Sequence, residues 1–235
     1  MICQLKKRSQ PKKGRDSSSF IFNQLNLSIY FCYNFEMNID DNHKKRKSEI
    51  KARLNEFKKV NGTDIFYELC FCLLTPQSSA RRADYCIQEL KKLDFLNKSV
   101  DPIPILKQKI RFHNHKGSYL LEFKNNHKQI FSELNKIPDR REKRKFLVKN
   151  VKGLGLKEAS HFLRNTGHEN LAILDRHILK NLVKLNVIHE LPKTLTPQKY
   201  FEIEEKFIEF SNKIDIPLDE LDLLFWSMET GEIFK

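Results

Sequence analysis

A lysine and an aspartate are the side chains of this sequence whose types and positions best suit chemistry. Lys157 opens a predicted helix directly after a Gly-Leu-Gly turn, and Asp175 begins the next one. The dipole at a helix start disfavours an ammonium and so favours the free amine, which is a nucleophile. A carboxylate held beside it could stabilise positive charge on a sugar. The ordinary interpretations are a solvated lysine and a helix N-cap, and we expect Asp175 to be an N-cap as well.

The chain length between these two residues allows them to meet. A helix from Lys157 to Thr166 is about 15 Å long. Gly167 ends this predicted helix, and residues 168–174 span up to ~23 Å when extended. Asp175 can therefore return to the start of the helix that carries Lys157.

The glycines before Lys157 suggest a phosphate-binding turn. Gly153 and Gly155 permit a tight turn, and the turn leads directly into a helix. The first amides of a helix have no intrahelical partner, so a phosphate can bind there without a side chain. Lys152 is a candidate for a further phosphate contact. The Gly-x-Gly pattern alone is equally typical of an ordinary turn between helices.

Composition favours a polyanionic partner. The 235 residues include 43 basic and 30 acidic side chains, a formal charge of +13, which suits nucleic acid or a membrane surface. No run reaches the ~18 apolar residues that a membrane helix needs. Five cysteines, none after residue 86, do not form a disulfide framework and indicate a reducing compartment. No set of His, Cys and carboxylate residues has a known metal-ligand spacing, so we expect neither metal nor cofactor.

The elements that must position these residues are helical. Apolar residues recur with helical spacing from about residue 40 onward, and no segment shows the alternation of a strand. The fold class is therefore all-α, with many short helices. Residues 1–36 show no periodicity, and we interpret them as a tail or an extension from an early start site.

The motifs together resemble a known family. GLGLKEASHFLRN followed by ILDRHIL is similar to the helix-hairpin-helix, Gly-Pro-Asp superfamily of DNA glycosylases. PKTL, ELDLLFW and the ending TGEIFK look most like its archaeal-type, or type 2, 8-oxoguanine DNA glycosylases. Leu174 replaces the superfamily proline. The resemblance implies a glycosylase unit over residues 40–235 without an iron–sulfur cluster. It also implies two lobes with a cleft between them, one of about 76–166 and one of 40–75 plus 168–235.

The resemblance also implies a reaction and a partner. Lys157 would attack the sugar of a flipped nucleotide, 8-oxoguanine would leave, and the resulting Schiff base would allow β-elimination, with Asp175 assisting. This is the activity of a bifunctional glycosylase/AP lyase in base excision repair. We expect a monomer acting on double-stranded DNA that contains 8-oxoguanine. We expect it in the cytoplasm at the nucleoid, with no membrane partner.

Base recognition has three candidates, and a fourth residue is a candidate for a contact with the DNA stack. 8-Oxoguanine carries a hydrogen at N7, whereas N7 of guanine is an acceptor. A protein that recognises 8-oxoguanine must therefore place a hydrogen-bond acceptor opposite N7. The family implicates a C-terminal lysine, and the main-chain oxygens of Lys235 fit that need. Trp226 and Phe112 are candidates for stacking on the flipped base, although core packing explains each nearly as well. Gln77, in a loop, is the candidate for filling the vacated stack.

Two alternatives account for part of the pattern. An endonuclease III-like glycosylase for another oxidised base would share the lysine and the aspartate. That family usually has a four-cysteine cluster near the C-terminus, which a chain without cysteine after residue 86 cannot form. A non-catalytic helix-hairpin-helix module would explain Gly153, Gly155 and the charge. It would leave Lys157, Asp175 and Lys235 unexplained.

Overall fold

The structure, a computed structural model, describes residues 39–235, and the predicted tail of residues 1–36 lies outside them. Every regular element in the described part of the chain is a helix, which confirms the all-α prediction. A first helix, α1, runs through residues 39–57. The others are α2 Thr63–Leu74, α3 Ala80–Lys92, α4 Ile103–Lys107, α5 His113–Asn135, α6 Arg140–Asn150, α7 Leu156–Asn165, α8 Arg176–Lys184, α9 Pro197–Lys213 and α10 Leu218–Thr230.

The buried apolar side chains form two clusters. The first joins α2, α3, α5, α6 and α7 and also contains Phe234 near the C-terminus. The second joins α1, α8, α9 and α10. This division differs from the expected lobes at α2, which was placed with the second group. α2 is apolar on nearly all sides and packs against α3, α5 and α7, so its buried residues belong to the first cluster.

The hairpin between α6 and α7 has the predicted turn. α6 is capped by Asp139, whose side chain accepts a hydrogen bond from the main-chain N–H of Glu142 at 2.9 Å. Gly153 has φ +86°, a left-handed conformation that favours glycine. Gly155 is the N-cap of α7 in an extended conformation. The two helices pack against each other, so the turn presents the start of α7 at a fixed angle.

A wholly buried ion pair connects the two clusters. Arg144 of α6 donates to Glu204 of α9 through Nη1 to Oε1 at 2.6 Å and Nη2 to Oε2 at 2.7 Å. Arg144 Nη1 also donates to Ser160 Oγ of α7 at 3.1 Å. Two parallel hydrogen bonds between ionised groups hold a defined geometry. The hairpin helices are therefore fixed to α9.

The described part of the chain, from residue 39 on, has no helix that is both long and apolar enough to cross a membrane.

Candidate active site

A cavity of about 500 Å³ contains the two residues predicted to carry the chemistry. Its walls come from the loop between α2 and α3, from α7, from the segment before α8, from α10 and from the last residue. Lys157 and Asp175 both line it, so the chain does return beside the start of α7. Gln77, Trp226 and Lys235 line the same cavity.

Lys157 lies in the first turn of α7, which begins at Leu156. Its side chain is 23% exposed, and Nζ is 3.7 Å from Oε1 of Glu158, a separation longer than a hydrogen bond. The amine is thus oriented by the start of α7 and remains accessible from the cavity. The positive end of the helix dipole acts on it at this position.

Asp175 is the N-cap of α8, as expected. Oδ1 accepts hydrogen bonds from the main-chain N–H of His177 at 2.8 Å and of Ile178 at 2.9 Å. The segment before it is anchored at Ala172, whose N–H donates to Glu204 Oε1 at 2.9 Å and whose carbonyl accepts from Tyr200 OH at 2.5 Å. The Asp175 carboxylate is therefore held by the start of α8 and by the anchored segment before it. Its second oxygen, Oδ2, takes no part in these contacts.

The hairpin residues surround the start of α7 but do not line the cavity. A side chain at Gly153 would begin 2.3 Å from Cδ2 of Tyr119, so the turn lies against that ring. Gly155 provides no side-chain cap, which leaves the first amides of α7 without a side-chain acceptor. Lys152 is exposed, with Nζ 3.5 Å from Glu122 Oε2. These positions suit contact with a phosphate outside the cavity.

Lys235 lines the cavity, and its side chain contacts residues that do not line it. Nζ donates to Glu68 Oε2 at 3.0 Å, is 3.5 Å from Asp84 Oδ1 and lies 4.4 Å from the centre of the Phe71 ring. The preceding residue, Phe234, is buried, with its carbonyl accepting from Arg53 Nε. The last residues of the chain are thus anchored at the cavity wall.

The structure places the two aromatic candidates differently relative to the cavity. Trp226 lines the cavity, and its ring centre is 6.3 Å from that of Phe234. Phe112 is 52% exposed and does not line the cavity. It has φ +57° and immediately precedes α5, and this reversal of the backbone directs its side chain toward solvent. Phe112 therefore lies outside the cavity, and its stacking on the base stays a prediction.

Three further residues line the cavity although the sequence did not place them there. His161 and Arg164 lie one and two helical turns after Lys157, and Asp222 lies one turn before Trp226. The helical spacing from Lys157 and Trp226 was the available signal. Burial lowers the pKa of His161 well below its usual value, with the charges of Arg164 and Lys157 acting in the same direction.

Asp222 is a buried carboxyl group at the cavity wall. Oδ2 is 3.2 Å from Nη1 of Arg164. Burial raises the pKa of Asp222 to about 7; the charge of Arg164 opposes this rise, and the negative charge of Asp175 adds to it. The site thus combines two carboxyl groups and an amine around one space. Within residues 39–235 there is no group of three or more His, Cys, Asp or Glu residues that could hold a metal ion.

The comparisons with known proteins agree on one family. A family model described as 8-oxoguanine DNA glycosylase matches residues 50–216. The 8-oxoguanine DNA glycosylase/AP lyase of Fusobacterium nucleatum is 50% identical over 208 residues, covering 84% of this chain and 96% of the relative. The enzyme of the same name from Methanocaldococcus jannaschii is 38% identical, covering 81% and 95%.

Solved structures give the same result. The crystal structure of the Methanocaldococcus jannaschii 8-oxoguanine glycosylase/lyase in complex with a 15mer DNA containing 8-oxoguanine matches with a TM-score of 0.77 and 34% identity, covering 85% of this chain and 100% of that one. The 8-oxoguanine DNA glycosylase of Thermotoga maritima matches with a TM-score of 0.78 and 28% identity, covering 87% and 100%.

Proposed function

This chain belongs to the 8-oxoguanine DNA glycosylase family, and from that premise we propose that it removes 8-oxoguanine from DNA and then cleaves the strand. It is a DNA glycosylase/AP lyase of base excision repair, and double-stranded DNA containing 8-oxoguanine is its partner. The observation that carries the assignment of roles is the presence of Lys157 and Asp175 in one cavity beside the hairpin. We further propose that it acts as a monomer in the cytoplasm, at the nucleoid, without a cofactor.

The proposed reaction begins with the nucleotide turned out of the duplex into the cavity, which is how enzymes reach a base. The lone pair of Lys157 Nζ forms a bond to the anomeric carbon. The bond from that carbon to the base breaks, and the base leaves with the electron pair and takes up a proton. Asp175 stabilises the positive charge that develops on the sugar, because its carboxylate is fixed at the edge of the same cavity.

Strand cleavage follows from the same covalent bond. The bonded nitrogen loses one proton, and its lone pair then forms a double bond to the anomeric carbon. The bond from that carbon to the ring oxygen breaks, the oxygen takes up a proton, and a cationic Schiff base joins Lys157 to the opened sugar. The cationic imine makes the neighbouring C2′ hydrogen acidic. Removal of that proton expels the phosphate at C3′, which is β-elimination, and hydrolysis then frees the lysine. A single amine thus accounts for both activities.

We propose that the terminal main-chain oxygens of Lys235 accept the N7 hydrogen that distinguishes 8-oxoguanine from guanine. Guanine would place its N7 lone pair against these acceptors, which is unfavourable. Trp226 offers a face for stacking. Asp222, one turn away, offers oxygens for the N1 and N2 hydrogens of a guanine-type edge. The ion pair between the Glu68 carboxylate and the Lys235 ammonium sets the position of the terminal oxygens.

The contacts to DNA outside the cavity complete the proposal. The open amides after Gly155 and the turn at Gly153 bind one phosphate, and Lys152 adds charge nearby. These contacts orient the duplex without reading its sequence. Gln77, whose loop forms one wall of the cavity, occupies the space that the turned-out base leaves in the stack.

Borohydride trapping on a duplex with a single 8-oxoguanine tests the function. Reduction converts a Schiff base into a stable protein–DNA adduct. We expect an adduct with the unaltered chain and none with Lys157→Gln. Lys152→Gln is the matched control, since it removes a neighbouring charge in the same hairpin; we expect weaker DNA binding but continued trapping.

The same assay separates the alternatives. Trapping on a duplex with an oxidised pyrimidine but not on 8-oxoguanine would indicate an endonuclease III-like specificity. DNA binding without any adduct would indicate a non-catalytic module. An adduct that persists in Lys157→Gln would show that another amine is the nucleophile, and the proposed role of Lys157 would be wrong.

A further inference from the structure

A buried lysine outside the cavity holds the loop that carries Gln77. Lys116 of α5 is only 5% exposed. Its ammonium donates to the carbonyl of Leu74 at 2.8 Å, to the carbonyl of Pro76 at 2.6 Å and to Ser78 Oγ at 3.2 Å. All three N–H donors are used, and all three acceptors lie between the end of α2 and the start of α3.

The loop held in this way has an unfavourable backbone. Gln77 has φ +54°, a left-handed conformation that side chains other than glycine rarely adopt. Such a residue persists where its surroundings hold it in place. Lys116 binds groups on both sides of it, namely the carbonyls of Leu74 and Pro76 before it and the hydroxyl of Ser78 after it. The ammonium therefore stabilises the conformation that brings Gln77 to the cavity.

A second loop is attached to the same point. Ser78 Oγ also accepts from the main-chain N–H of Arg111 at 3.3 Å. Arg111 precedes Phe112, which also has a left-handed conformation, at φ +57°. The hydroxyl group thus links the loop before α3 to the loop before α5.

The charge of Lys116 is costly in this position. Burial lowers its pKa to about 8, the negative charge of Glu158 opposes this, and the positive charge of Lys157 adds to it. An apolar side chain could fill the same volume without that cost. A charged group with three satisfied hydrogen bonds is therefore best explained by the geometry that it imposes on the loop.

We propose that Lys116 is a positioning residue for base extrusion. It fixes the backbone of residues 74–78 so that Gln77 enters the stack at the position of the turned-out base. Lys116 does not line the cavity, and it acts through the loop rather than on the reacting atoms. The proposal rests on the proposed function, and it adds a residue that the reaction itself does not use.

The test compares two substrates that differ in their need for extrusion. Removal of 8-oxoguanine from a duplex requires the base to leave the stack. Borohydride trapping on a single-stranded abasic site does not. We expect Lys116→Met to slow excision from the duplex by roughly tenfold to a hundredfold, the size of effect that misplacement by about an ångström produces. Trapping on the single strand should stay within about twofold of the unaltered chain.

A double-mutant cycle then asks whether the effect passes through Gln77. In a Gln77→Ala background, Lys116→Met should add little further loss on the duplex. Lys124→Met is the matched control, because Lys124 of α5 also donates to a main-chain carbonyl, that of Lys98, away from the cavity. It should leave both substrates unaffected. Ser78→Ala removes one of the three acceptors and should give a smaller loss of the same kind, which serves if Lys116→Met does not fold.

The outcomes separate the possibilities. Equal losses on both substrates would indicate a general structural role and overturn the proposal. So would losses that multiply in the double variant, or duplex excision unchanged by both Lys116→Met and Ser78→Ala. If the unaltered chain forms adducts on abasic DNA but does not excise 8-oxoguanine, the proposed substrate is wrong and this proposal falls with it, which is a distinguishable result.

Discussion

Replacing Gly153 by alanine should both destabilise the fold and weaken DNA binding. Two costs arise from the structure. At φ +86° a residue with a Cβ is strained by about 1–2 kcal/mol. The new methyl group would also begin 2.3 Å from Tyr119 Cδ2, so the ring or the turn must move, and overpacking of this kind costs roughly 1–3 kcal/mol. The expected loss in the free energy of unfolding is therefore about 2–5 kcal/mol.

Gly231 provides a matched control for the first cost. It has the same φ of +86°, but a methyl group there would meet no atom within 4 Å. Gly231→Ala should therefore lose only about 1–2 kcal/mol. Urea denaturation of both variants measures the difference, with an unchanged m-value showing that the unfolded state is the same. The difference between them isolates the contact with Tyr119.

The effect on DNA follows from the displaced turn. One phosphate contact contributes about 0.9 to the slope of log K against log salt on duplex DNA. Gly153→Ala should lower that slope by about one, measured by fluorescence anisotropy on a duplex with a stable abasic analogue. Adding Tyr119→Ala should remove the clash and recover part of both losses. Equal destabilisation by the two glycine variants, or an unchanged salt slope, would refute the role given to this turn.

Three further outcomes are expected. The pKa of Asp222 is raised to about 7 in the folded state, so the folded protein keeps a proton that the unfolded chain loses above pH ~4. The free energy of unfolding should therefore fall by up to about 4 kcal/mol as the pH rises from about 4 to about 7. Asp222→Asn should abolish this pH dependence, as measured by urea melts at several pH values. Arg144→Met should cost about 3–5 kcal/mol in the same melts, because it leaves the Glu204 carboxylate buried without its partner, and a variant with Glu204→Gln added should recover part of that loss. Glu68→Gln should weaken the contact that holds the Lys235 ammonium, and the preference for 8-oxoguanine over guanine in excision assays should then fall several-fold. Borohydride trapping on abasic DNA should be unchanged.

The sequence predicted the parts of this fold that depend on local chemistry. Helical periodicity gave the all-α class, and the glycines before Lys157 gave the hairpin. Asp175 was expected to cap a helix, and it does so with two hydrogen bonds. Each of these features is set by residues a few positions apart. Propensity and capping rules therefore apply to them directly.

Features that depend on distant packing were not predictable in the same way. Phe112 was placed against the base by its aromatic type, yet its left-handed backbone turns it outward. The position of α2 in the first cluster depends on contacts with helices far along the chain. The role of Asp222 required knowing that α10 passes beside α7, which brings the carboxyl group to Arg164. The spacing along one helix shows which residues share its face, but it does not show which distant helix packs against that face.

The position of Asp175 relative to Lys157 depends on side chains that belong to neither α7 nor α8. The segment that leads to Asp175 has no regular structure, and its backbone groups are satisfied by α9 and α10. Glu204 and Tyr200 bind Ala172, and Asp219 accepts from the N–H of Asn170 at 2.9 Å. Asp175 is therefore carried by the second cluster, whereas Lys157 is carried by α7 in the first.

The ion pair between Arg144 and Glu204 is one direct connection between those two supports, and the pair of Arg164 and Asp222 is another. Glu204 Oε1 accepts from Arg144 and from Ala172, so one carboxylate fixes both the hairpin helix α6 and the segment before Asp175. A change that loosens this pair should widen the range of separations between the amine and the carboxylate. Excision should then fall in Arg144→Met even under conditions where the variant remains fully folded. Loss of stability without loss of activity in the folded fraction would show instead that the proposed catalytic pair is positioned by α7 and α8 alone.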